Sequence, residues 1–129
     1  MPEENVAIAR ELLGRWQRND PALDLFAEDC VFDYTSFPDG RIVQGRASIA
    51  EFIRSWVGTW EQYELVVDDV IGAGDQVVAL TRERGRGRSS DAQMEMEGSF
   101  VMGLRDRKIV TFKGYLDRAQ ALTAAGVPE

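Results

Sequence analysis

From Gln44 to Gly126 the chain runs through one helical stripe and then four stretches of alternation. Ile49, Phe52, Ile53, Trp56 and Trp60 recur at the i, i+3, i+4, i+7, i+11 positions of one helix face. Glu51, Arg54, Ser55 and Gly58 fill the other side, so a helix is predicted over about 46–59. Strands follow at roughly 62–71, 76–88, 92–104 and 108–116, joined by Gly72-Ala73-Gly74-Asp75 and Arg105-Asp106-Arg107, short turn-rich links of hairpin type. In the third strand Met94, Met96, Gly98, Phe100, Met102 and Leu104 share one face, and Glu95, Glu97, Ser99 and Val101 the other. The last strand sets Val110, Phe112, Gly114 and Leu116 against Thr111, Lys113 and Tyr115. One apolar and one wet face define an antiparallel sheet covered by helices on one side. A helix leaning on a strongly curved meander encloses a hollow, so this order of elements predicts a pocket.

The first third reads as support. Ile8, Leu12 and Trp16, flanked by Ala9 and Leu13, form an apolar stripe that predicts a helix over 4–19. Asp20 suits an N-cap and Pro21 a first helical position, which predicts a second, short helix with Leu23 and Phe26 inward, ending near Glu28. From Cys30 the period becomes two, with Phe32 and Tyr34 on one face and Val31, Asp33 and Thr35 on the other. Phe37-Pro38-Asp39-Gly40 reads as a turn before a brief strand, Arg41–Gln44. Asp117 caps a closing helix that runs to Ala125 and is stopped by Gly126 and Pro128.

Bulk properties narrow the function. At 129 residues one domain spanning 1–129 is expected. No apolar run approaches the ~20 residues of a membrane span, and the acidic N-terminus lacks a signal core, so a cytoplasmic protein with no membrane partner is expected. The net charge of −7 argues against nucleic-acid binding. The chain has no histidine, which removes the usual base near neutral pH and the commonest metal ligand. A single cysteine, Cys30, excludes an internal disulfide and carries no metal spacing. Neither a metal nor a cofactor is expected, and any chemistry must run on carboxylates, tyrosine, arginine or lysine.

Among charged residues, the run Arg82, Arg84, Arg86, Arg88 lacks aromatic platforms for stacking bases. Arg86 and Arg88 read as a solvated strand end. Arg82 differs because it continues the face of Val78 and Leu80, which should point inward. An arginine there must pair with an internal carboxylate or anchor a ligand, because an unpaired buried charge costs several kcal/mol. Asp68 and Asp69 are adjacent on a strand, point opposite ways and form no dyad. Glu95 and Glu97 lie opposite the methionines and suit a solvent-facing or subunit-facing role. Cys30 lacks the partner that would make it a nucleophile.

Four segments resemble the nuclear transport factor 2-like superfamily, in its SnoaL-like, polyketide cyclase-like branch. They are Leu25-Phe26-Ala27-Glu28-Asp29-Cys30-Val31-Phe32-Asp33, Gly45-Arg46-Ala47-Ser48-Ile49-Ala50-Glu51-Phe52, Gly74-Asp75-Gln76-Val77-Val78, and Leu104 to Val110 leading into Tyr115 to Leu122. The resemblance covers essentially the whole chain in order and spacing. It implies an α+β cone-shaped roll, with a curved, mostly antiparallel sheet wrapped around a long helix, N-terminal helices and a short C-terminal helix. The superfamily hosts isomerases, cyclases, hydrolases and non-enzymatic modules. Laid over ketosteroid isomerase, the base position falls on Tyr34, with Asp33 next to it. The helix-one tyrosine falls near Leu12 and the oxyanion aspartate on Ser99 or Phe100. None matches, so steroid isomerisation is not supported. The Asp-Arg-Asp arrangement of the epoxide-hydrolase relatives is not recognisable beyond Arg82.

The expected pocket is built from Trp16, Phe32, Trp56, Trp60, Phe100, Met102 and Phe112, with Tyr34 and Arg82 as its polar, potentially catalytic groups. The expected ligand is a small hydrophobic or aromatic molecule with one polar or anionic group. Any catalysis would be proton transfer, cyclisation or isomerisation beside a carbonyl. The rival expectation is a non-catalytic dimerisation or protein-interaction module whose cavity is filled core. A homodimer is expected through the outer sheet face of Glu95, Glu97, Lys113 and Tyr115.

Overall fold

Helix α1 (Pro2–Gln17) leads, in the computed structural model, into six strands and two further helices; residues 2–37, 40–88 and 92–127 are described. The strands are β1 (Phe26–Asp33), β2 (Ile42–Gln44), β3 (Trp60–Ala73), β4 (Gln76–Gly87), β5 (Gln93–Arg105) and β6 (Lys108–Tyr115). Helix α2 (Arg46–Gly58) sits between β2 and β3, and α3 (Arg118–Ala124) closes the chain. The strands form one sheet in the order β2-β1-β6-β5-β4-β3. Every neighbour is antiparallel except β1 and β6, which run parallel. This is the expected α+β roll. Breaks in register on β1, β3 and between β5 and β6 bend it, because a bulged strand kinks and twists more strongly.

Two elements depart from the sequence-based expectation. The second helix reduces to a single 3-10 turn, Leu23–Leu25, and β1 begins already at Phe26. Asp20 does cap, but as a turn: its Oδ1 accepts the Ala22 N–H at 2.9 Å, and Ala22 is left-handed at φ 57°. Tertiary pairing overrides the local helix signal, because Phe26 sits opposite Ile109 of β6 with its ring fully buried. Trp60 is the first residue of β3 rather than the last of the helical stripe, since α2 ends at Gly58. The central residues of the predicted 37–40 turn, and Pro128 of the C-terminal stop, lie outside the described residues.

The sheet has two covered faces, and they are unequal. On the inner face Val77, Ala79, Thr81 and Glu83 of β4 stand beside Met102, Phe100, Gly98 and Met96 of β5. Helix α1 lays Ala9, Leu12 and Leu13 into this core, and α2 adds Ile49. The outer face is covered only in part: Val78 and Val101 are buried together with Ala121 of α3. Asp117 starts α3 as expected, its side chain accepting the Ala119 N–H at 2.8 Å.

Phe112 is the hub of the inner core. Its ring lies 4.4 Å from that of Phe32, 4.9 Å from Phe100 and 5.5 Å from Trp16, and it is wholly buried. Phe112→Ala should therefore cost about 3–5 kcal/mol, the range for truncating a buried phenylalanine, measured as a lower urea midpoint.

Candidate functional site

A cavity of about 590 Å³ opens between the end of α1 with its following loop, the second half of α2, and the inner face of β3, β4 and β5. Helix α2 contributes Phe52, Ile53, Trp56 and Val57, successive members of its inward stripe. Trp16 and Pro21 close one side; the Trp16 indole donates to the Pro21 carbonyl at 3.0 Å and ties the loop back over the helix end. Tyr34 and Phe37 enter from beyond β1, and the sheet supplies Tyr63, Leu65, Glu83, Met96 and Phe100.

Glu83 is the unexpected residue. It stands on β4 between Leu65 of β3 and Met96 of β5 and is only 7% exposed. Its Oε1 accepts the Trp56 indole N–H at 3.0 Å and the hydroxyl of Tyr63, while Oε2 has no partner among the described residues. Two donors on one oxygen offset part of the cost of burying a carboxylate. Gly98 beside it leaves room for Thr81 and Phe100, because a Cβ there would stand 3.0 Å from Thr81 Oγ1 and 3.2 Å from the Phe100 ring.

Of the residues expected from sequence, Trp16, Tyr34, Trp56 and Phe100 line this cavity. Phe32, Met102 and Phe112 do not: all three are wholly buried core beneath it. Trp60 lies behind the wall, edge-on to Trp56 at 5.4 Å, and crosses β4 at Gly85, where a Cβ would come within 2.8 Å of its own. Arg82 is on the opposite face. It grips Asp68 with Nε and Nη2 at 2.9–3.1 Å, and Arg118 of α3 reaches the same carboxylate at 2.6 Å. The reason is strand parity. Val78 is apolar because α3 covers it from outside, so the Val78, Leu80, Arg82 series belongs to the outer face. The inward series is Val77, Ala79, Thr81, Glu83. Its signal in the sequence is the methionine face of β5, which the hairpin register sets beside it.

Electrostatics follow from this burial. Burial first, and the Glu83 charge second, push the Tyr34 hydroxyl well above the ordinary tyrosine range. Tyr63 moves the same way through burial, the Glu83 charge and its hydrogen bond to Glu83. Cys30 is pushed up to about 12 by burial and is no nucleophile. Hydrogen bonds from Arg15 hold Asp20, on the cavity wall, and Asp24, outside it, below the usual carboxylate range. No group of metal-binding side chains exists among the described residues, and no helix among them is long and apolar enough to cross a membrane.

The chain belongs to the SnoaL-like domain family, which matches residues 9–112. No curated protein matches it. Among solved structures, an NTF2-like protein of unknown function from Burkholderia pseudomallei superposes with a TM-score of 0.77 at 22% identity, covering 93% of this chain and 95% of that one. A hypothetical protein with a ketosteroid isomerase-like fold from Catenulispora acidiphila gives 0.74 at 18% identity over 94% and 93%. TerC gives 0.75 at 16% identity over 95% and 98%. At these identities the likeness is one of fold.

Tyr34 and Tyr63 hold their protons more tightly folded than unfolded. The stability this contributes is intact below the ordinary tyrosine value of about 10 and is lost as pH climbs past it. An alkaline titration of phenolate absorbance should show two late-ionising tyrosines, and Tyr34→Phe and Tyr63→Phe should each remove one of them.

Proposed function

We propose that this protein binds a small, largely hydrophobic organic molecule in the aromatic cavity. The carrying observation is the open space of about 590 Å³, walled by aromatic rings and bearing one buried carboxylate. That volume falls in the ~300–1,000 Å³ range of small-molecule sites and speaks against a module with a filled interior. The fold's capacity to hold small molecules gives further support. TerC was co-crystallised with polyporic acid, and the Catenulispora protein is in complex with trimethylamine.

The polar handle of this reading is Glu83 in place of Arg82, whose guanidinium is committed to Asp68 outside. On a ligand with an acidic C–H beside a carbonyl, Glu83 is the group to take the proton, and the Tyr34 hydroxyl the group to donate to the developing enolate. The Tyr34 hydroxyl is free for this, with no hydrogen-bond partner among the described residues.

A second reading concerns self-association through the outer sheet face. The row Glu64, Arg84, Glu95 crosses that face beside Arg82 and Glu97. Alternating charge of this kind is self-complementary across a two-fold axis.

Trp16 and Trp56 on the wall make intrinsic fluorescence the readout. Titration with a panel of aromatic ketones and amines should give a saturable change. Val57→Phe, which fills the cavity, should weaken it roughly tenfold or more while leaving the urea midpoint nearly unchanged. Silence across the panel would overturn the binding reading. For the outer face, sedimentation should give a dimer mass that Arg84→Glu reduces to a monomer; a wild-type monomer would refute it.

A further inference from the structure

Glu83 is a buried charge without a counter-ion among the described residues. Its two partners, the Trp56 indole and the Tyr63 hydroxyl, are neutral donors, and both serve the same oxygen. The other charged residues on the cavity wall do not neutralise it: Asp20 is itself acidic and tied to Arg15 at 2.9 Å, and Arg54 is exposed on α2. The depth of the cavity is therefore negative. Trp56 and Tyr63 turn their donor edges to Glu83, and the Tyr34 and Phe100 rings complete the aromatic wall of the same cavity. Low polarity around the site strengthens every such interaction.

We infer that the ligand supplies the missing positive charge: the cavity takes a molecule in which a cationic ammonium group is joined to a hydrophobic or aromatic body, with the ammonium set against Glu83 Oε2 and the surrounding rings. The inference rests on the small-molecule reading above and assigns the ligand's polar group. An anionic ligand would meet repulsion from Glu83. A neutral one without a hydrogen-bond donor would leave Oε2 stripped of water and unpaired, which is costly for a carboxylate. A cation answers both, and unlike a neutral donor it also cancels the charge. The sign is opposite to the anionic group that an inward Arg82 had implied.

Benzyltrimethylammonium and its uncharged isostere neopentylbenzene have nearly the same shape and separate charge from size. Wild-type protein should bind the cation roughly tenfold more tightly than the isostere, a preference in the range of desolvated cation–π and charge pairing. Glu83→Gln should erase that preference, weakening the cation and tightening neopentylbenzene because no carboxylate is left to be stripped of water, and Glu83→Asp should restore part of it. Equal or tighter binding of neopentylbenzene by the wild type overturns the inference but leaves the small-molecule reading standing, with Glu83 then free for proton transfer. Failure of both probes and of the wider aromatic panel overturns the two together. A preference that survives in Glu83→Gln removes the carboxylate from the assignment. Should Glu83→Gln fail to fold, the wild-type pair and Glu83→Asp still decide.

Discussion

The contact between the rings of Phe32 and Phe112, 4.4 Å from centre to centre, is where this fold is held shut. It joins β1 to β6, the parallel pair through which the first strand enters a sheet that is otherwise a meander. From it rings continue in both directions: Phe26 meets Phe32 at 5.4 Å, Phe100 meets Phe112 at 4.9 Å, and Tyr34 stacks above Phe32 at 6.0 Å. Aromatic rings bury large areas and prefer such offset and edge contacts. This solid stack lets the neighbouring space stay open. Tyr34 and Phe100 are both the last members of the stack and the first residues of the cavity wall, so the floor of the hollow is continuous with the core.

Adjacent residues on β4 meet opposite environments. Arg82 faces out, into a cluster with Asp68, Arg118 and Glu97. These groups are partly exposed, and ion pairs in contact with water contribute little to stability. Glu83 faces in, where the same unit charge dominates its surroundings. A strand gives this contrast without any special device, because successive side chains point to opposite faces.

Much of the fold was legible in the sequence, for reasons that particular residues show. The stripe Ile49, Phe52, Ile53, Trp56 marks α2 unmistakably, and the methionine–glutamate alternation of β5 sets its two faces correctly. The helix expected after Pro21 failed because Asp20 and Pro21 also suit a turn, and the pull of Phe26 into β6 pairing is not a local signal. The site was half legible. Trp16, Tyr34, Trp56 and Phe100 announce themselves as large inward rings. Phe32, Met102 and Phe112 are as large and apolar but lie one layer deeper, a distinction set by how side chains stack in three dimensions. Glu83 was hidden because β4 is apolar on both faces near its start. The Val78 side is separated from the Val77 side by α3, seven residues at the far end of the chain, and by the register that sets Val77 and Glu83 beside the methionine face of β5.

The carboxylate and one wall of the cavity around it stand on different parts of the molecule. Glu83 belongs to a central strand paired on both edges, whereas Phe52, Ile53, Trp56 and Val57 ride on α2, a helix anchored at its start by Arg46 Nε donating to the Phe26 carbonyl at 2.8 Å. Substitutions along that helix alter the size and contour of the hollow while the fixed charge stays in place. In evolutionary terms, the contour of this hollow is open to change by redecorating a single helix, while the carboxylate stays with the sheet that carries it.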